Sequence, residues 1–170
     1  MYPNSYIQYL VHFHGDRDYF ECHEILEEYW KETDNRNKKS VWVGLILIAV
    51  SSYHHRRNNY EGAKKTLKKG MEILEENRMK VEHLGLDVNN LFSVLEKENN
   101  RLNMSKEFSP YSLPIIDIHL KEQCLNMCYR QNMTWQSTEK DSVEIIHRHI
   151  TRDRSQVIKE REDSIKKRKK

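Results

Sequence analysis

Punctuation is scarce in this chain. Five glycines and three prolines among 170 residues are too few for a sandwich or barrel, whose tight turns need Gly, Pro, Asn and Asp at fixed positions. The same shortage removes two catalytic frameworks. There is no Gly-rich phosphate loop and no serine elbow, each of which needs glycines at set spacings. The longest apolar run, Val41 to Val50, falls far short of the roughly 20 residues that span a bilayer, so no membrane segment is expected. Cysteine is sparse and odd in number: Cys22, Cys124 and Cys128. With no signal peptide visible at the start, this predicts free thiols and a cytoplasmic location. Cys124 and Cys128 share one helix face at their four-residue spacing. Two cysteines alone do not make a zinc site, and they read as small buried hydrophobes.

What is present is charge and helical periodicity. Charged residues make up 32% of the chain and apolar ones 37%. Most apolar residues fall in the first hundred positions, enough for one helical core. From Arg148 to Lys170 ten basic residues stand against four acidic ones, so this tail carries +6 and the remainder −3. Residues 4–14 predict a first helix with Ile7, Leu10, Val11 and His14 on one face. Asp16 or Asp18 caps a second, to about Thr33, with Cys22, Ile25, Leu26 and Tyr29 at buried-face spacing. Ser40 caps a third, in which Val41 to Tyr53 is apolar almost all round, as in a central helix. A fourth runs from about Tyr60 to Lys80 with Ala63, Leu67, Met71 and Leu74 inward. A fifth covers about 88–103 with Val88, Leu91, Leu95 and Leu102.

The expected architecture is therefore all-α: a bundle of about five core helices built from antiparallel hairpins, followed by a C-terminal helical extension. Residues 1–103 form the core domain. Residues 104–118, holding Pro110 and Pro114, form a connection with a short strand near Ile115–Ile118. Residues 119–170 form the extension with its basic tail, helical over 119–132, 139–150 and 152–168. The last helix has few apolar residues to bury, so a partner is expected to order it. A faint echo between Asp18-Tyr19-Phe20-Glu21 and Asn59-Tyr60-Glu61-Gly62 points to two hairpins of similar build.

One set of residues has the types that carry chemistry. On helix two, His23 and Glu27 lie about 40° apart, flanked by Phe20 and Trp30. His and Glu at this spacing supply two metal ligands, or a base with its orienting acid. If helix three packs antiparallel, His54 comes within about one turn of His23, and Arg57 lies about 60° from His54. The expected site is thus a divalent-metal set of His23, Glu27 and His54, with Glu24 as general base and Arg57 as a nearby cation. The same residues also read as structural: a His–Glu pair at this spacing stabilises a helix. His12 or His14 is expected near the same cleft. His147 and His149 would point about 160° apart on a continuous helix and form no pair. His23-Glu24-Ile25-Leu26-Glu27 lacks the second histidine of a zincin protease motif.

Gly15-Asp16 followed by Tyr19-Phe20-Glu21-x-His23-Glu24-x-Leu26-Glu27-x-x-Trp30 resembles the signature of bacterial domain of unknown function family 309. Gly44-Leu45-Ile46, Ala49, Tyr53-His54, Arg57, Asn58 and Ala63 continue the resemblance, which covers about residues 5–80. It implies an all-helical bundle and a predicted metal-dependent hydrolase activity, itself inferred from the His and Glu residues. The positions that carry over are His23, Glu24, Glu27, Trp30, His54 and Arg57. Residues from about 104 onward exceed the family pattern.

Three functions follow. The leading one is a helical interaction or scaffold module, in which His23, Glu27 and Trp30 lock two helices together and a protein partner or a second copy is bound. The alternative is a metal-dependent hydrolase using the His/Glu cluster and a divalent ion. The third is weak, salt-sensitive nucleic-acid binding by Lys166 to Lys170 with Arg152, Arg154 and Arg161.

Overall fold

A computed structural model describes residues 1–137, 140–151 and 155–168. The described residues form ten helices: α1 Asn4–His14, α2 Tyr19–Thr33, α3 Val41–Arg56, α4 Tyr60–Glu76, α5 Arg78–His83, α6 Val88–Asn103, α7 Ile118–Arg130, α8 Val143–Ile146, α9 Arg148–Thr151 and α10 Ser155–Arg168. The all-α expectation holds. Of the residues assigned to the extension and its basic tail, Thr138, Glu139, Arg152, Asp153, Arg154, Lys169 and Lys170 lie outside the described residues. None of the described helices is long and apolar enough to cross a membrane.

The helix starts follow from side-chain caps. Asp18 accepts from Glu21 N–H, Ser40 from Trp42 N–H, Asn59 from Gly62 N–H, Asp87 from Asn90 N–H and Asp117 from Leu120 N–H. Each satisfies one of the orphan donors of a first turn. The fourth helix stops earlier than expected, at Glu76. Asn77 turns its side-chain amide onto the carbonyls of Ile73 and Lys39, a local competitor with helix bonding, and α5 begins afresh.

Consecutive helices pack side by side: α1 on α2, α2 on α3, α3 on α4, and α4 on α6. The α3–α4 contact is the closest. A Cβ on Gly44 would lie 2.7 Å from Leu74, and one on Gly70 would lie 3.2 Å from the Gly44 carbonyl. The extension closes the other side, where α7 packs on α1. Leu113, Leu120, Cys124, Met127 and Cys128 join the same core as Tyr9, Leu26, Leu45 and Leu67. All three cysteines are buried and free. The expected strand near Ile115–Ile118 reduces to a single bridge between Leu86 and Ile115, because Asp117 starts α7 one residue later.

The proline-containing connection is tied down by a histidine. His14 is 3% exposed; its Nδ1–H donates to the Leu10 carbonyl at 2.7 Å, and its Nε2 accepts from Leu113 N–H at 2.9 Å. Both ring nitrogens are used, and the bonds assign a neutral imidazole. Trp135 stacks on the ring at 4.3 Å. Burial pushes the His14 pKa down to about 4.

Candidate functional site

Helices α2 and α3 bring three of the sequence-predicted residues into one pocket of about 280 Å³. It is lined by Tyr19, Phe20 and His23 of α2, by Val50, Tyr53, His54 and Arg57 at the end of α3, and by His149 and Arg161 of the extension. His23, His54 and Arg57 therefore converge as their helical positions predict. Glu27 and Glu24 are absent from this lining, as are His12 and His14. His12 pairs with Asp16 at 3.0 Å, and His14 serves the connection described above.

Glu27 does bond His23. Its Oε2 lies 2.7 Å from His23 Nε2, and its Oε1 lies 2.8 Å from Lys31 Nζ. The His23 bond, and then that of Lys31, hold the Glu27 carboxyl at about 2, against a partial burial that would raise it. Both carboxylate oxygens are thus engaged along α2 itself. His54 is fixed differently. The Asn59 side-chain amide lies 3.1 Å from His54 Nδ1; since an amide NH₂ only donates, Nδ1 accepts and Nε2 carries the proton. Burial and the Arg57 cation hold the His54 pKa below its ordinary value, so at neutral pH the ring is neutral with an Nε2–H donor.

The phenol of Tyr53 is the hinge between core and extension. Its hydroxyl shares a hydrogen bond with His149 Nδ1 and accepts another from His149 N–H. Arg57 lies 5.4 Å from the Tyr53 ring centroid, and its Nε donates to His147 Nδ1 at 3.2 Å. His147 and His149 meet neighbouring side chains of α3 because the helix breaks between them: His147 ends α8 and Arg148 opens α9. The angle computed for a continuous helix does not apply. Their spacing alone carried no signal of this role, nor did that of Arg161.

Beside the pocket, the stretch from Asp141 to the first residue of α9 is bolted to the core. Asp141 takes Arg17 Nη1 at 3.2 Å on one oxygen and Arg56 Nη1 at 2.9 Å on the other. Arg148 places Nε and Nη2 on Asp18 Oδ2 at 3.0 and 2.8 Å. Arg56 is itself nearly enclosed, 4.7 Å over the Tyr19 ring. Among the described residues, no group of three or more His, Cys, Asp or Glu side chains is placed to hold a metal ion.

An all-helical bundle with this aromatic-His-Glu helix and its Tyr-His partner defines a family. Residues 6–66 match the model described as Domain of unknown function (DUF309), and the chain belongs to that family. It is similar throughout to the uncharacterized protein YpuF of Bacillus subtilis (strain 168), with 44% identity over 171 residues, 100% of this chain and 98% of that protein. No solved structure matches.

Proposed function

We propose that this protein is a helical interaction module whose working site is the α2–α3 pocket, and that the ligand presents an anionic group there. The single observation that carries the reading is the composition of the wall. Its described residues include Arg57, Arg161, His23, His54 and His149, and no carboxylate. Converging cations and N–H donors in a partly enclosed site favour an anion, since Coulomb attraction strengthens as water is excluded. Phe20, Tyr19 and Tyr53 supply the apolar remainder of a small-ligand site.

The metal implied by the family resemblance fits this arrangement poorly. A divalent ion needs lone pairs and negative charge. His23 Nε2 is spent on Glu27, His54 Nε2 carries a proton, and both Glu27 oxygens are already bonded. We therefore derive no step through a metal. The two readings separate cleanly in one experiment on the full chain, purified without chelator. Elemental analysis is made beside equilibrium dialysis against inorganic phosphate. Phosphate uptake that is lost in Arg57→Gln supports the anion reading. Near-stoichiometric zinc, manganese or iron that disappears in His23→Ala overturns it and restores the hydrolase.

A further inference from the structure

The pocket is not completed by the helices that bear the family motif. His149 and Arg161, two of its five basic or imidazole side chains, come from α9 and α10. The stretch that carries His149 across the site is unusual in how it is held. No residue from Lys140 to Ile150 is buried, and Val143 and Ile150 are 74% and 67% exposed. Its attachment is polar instead. Asp141 bridges Arg17 and Arg56, Arg148 sits on Asp18, His147 receives from Arg57, and His149 exchanges bonds with Tyr53. Polar anchors with no fully buried apolar side chain, Ile145 and Ile146 being only half-buried, make a low-stability element of the kind from which lids are drawn.

The chemistry of the two walls indicates what the lid closes on. The core wall offers Arg57 and the His54 Nε2–H; the extension offers Arg161. A phosphoryl group has more acceptor oxygens than a carboxylate and takes charge-assisted bonds from donors on several sides. We propose that Lys140–Thr151, with Arg161 of α10, is a lid that closes over a phosphoryl dianion and clamps it between Arg57 and Arg161. This inference rests on the anion reading of the pocket and adds the ligand class and the closing element. Because the lid donates to the ligand, binding and closure are linked: the ligand tightens the lid by the same factor by which the closed lid tightens the ligand.

The test uses the full chain, with inorganic phosphate as probe and acetate as the monoanionic control, in low-salt buffer. Calorimetry measures affinity, and amide hydrogen exchange follows residues 143–150. Phosphate is expected to bind more tightly than acetate and to slow exchange across 143–150. Arg161→Gln, on an exposed helix surface where folding is not at stake, is expected to weaken phosphate about tenfold or more and to abolish the slowing. Asp141→Asn is expected to speed exchange of the stretch in the absence of phosphate. If Arg161→Gln binds phosphate as the parent does and the exchange of 143–150 ignores the ligand, the lid is refuted while the anion site stands. If Asp141→Asn leaves exchange unchanged, the polar anchors do not hold the stretch and the lid is likewise refuted. If the parent takes up no phosphate, both readings fall.

Discussion

Acidification is expected to loosen this fold through one histidine. His14 donates to Leu10 and accepts from Leu113, so a second ring proton would face the Leu113 N–H and break the bond that pins the connection. Burial is the main reason its pKa falls to about 4, and the Lys121 cation adds to it. Above about pH 6.5 the imidazole is neutral in both folded and unfolded chains and does not affect stability. Between about 6.5 and 4 the unfolded chain takes up a proton that the folded chain refuses, so stability falls as pH falls. Below about 4 both states are protonated and the loss is complete. At about 1.4 kcal/mol for each tenfold change in proton affinity, the full loss is about 3 kcal/mol. Urea unfolding at half-unit steps from pH 7.5 to 4 measures it, with His14→Asn as the control that cannot titrate. The parent should lose about 3 kcal/mol more than the variant across that window. An NMR titration of the His14 ring in the parent gives the same answer without any variant. A ring that titrates near 6.5, or parent and variant curves that run parallel, would refute the reasoning.

Three further outcomes are expected. Gly44→Ala places a methyl against fully buried Leu74 and should cost about 1–3 kcal/mol by overpacking, read as a lower urea midpoint; an unchanged midpoint would mean that α3 and α4 separate freely. Glu27 has its carboxyl held at about 2 by His23 and Lys31, so its contribution is present above about pH 4.5 and lost as pH falls through about 2; a carboxyl carbon signal that titrates near 4.5 would show the pair is not made. Asp18→Asn keeps a capping side chain for α2 but weakens the Arg148 anchor, so 143–150 should exchange faster while α2 amides keep their protection; equal acceleration in both segments would mean that Asp18 acts as a cap alone.

Much of the core was legible, and the limits have physical causes. The stripes Cys22 and Leu26, Ala63, Leu67 and Leu74, and Leu91, Leu95 and Leu102 are buried as helical spacing requires. Asp18 and Ser40 cap α2 and α3 as the sequence suggests, and Asn59 and Asp87 do the same for α4 and α6; α1 takes no cap from Asn4 or Ser5, the candidates its sequence offers, and begins after Pro3 with no side-chain cap. What periodicity could not show is that α1 is buried on more than one face. Tyr6, Tyr9 and Phe13 are as enclosed as Ile7 and Leu10, because α7 covers the side that α2 leaves open. A stripe on one helix says which residues seek cover, and it is silent about a second cover arriving more than a hundred residues later.

The site divides in the same way. His23, His54 and Arg57 could be placed from helical angles because they sit on adjacent, uninterrupted helices. The closing residues could not, because a break at His147 resets the angular relation between His147 and His149, and because Arg161 reaches the pocket from a helix whose position no local pattern encodes. That difference also changed the chemistry inferred. His and Glu at one-turn spacing point to a cation, and in isolation they would suit one. Once His23 and Glu27 are satisfied by each other and Lys31, and Arg57 and Arg161 stand in the wall, the electrostatic preference reverses. The charge of a site is a property of everything that folds around it, and here the deciding charge, Arg161, is supplied by the extension that the family motif leaves out.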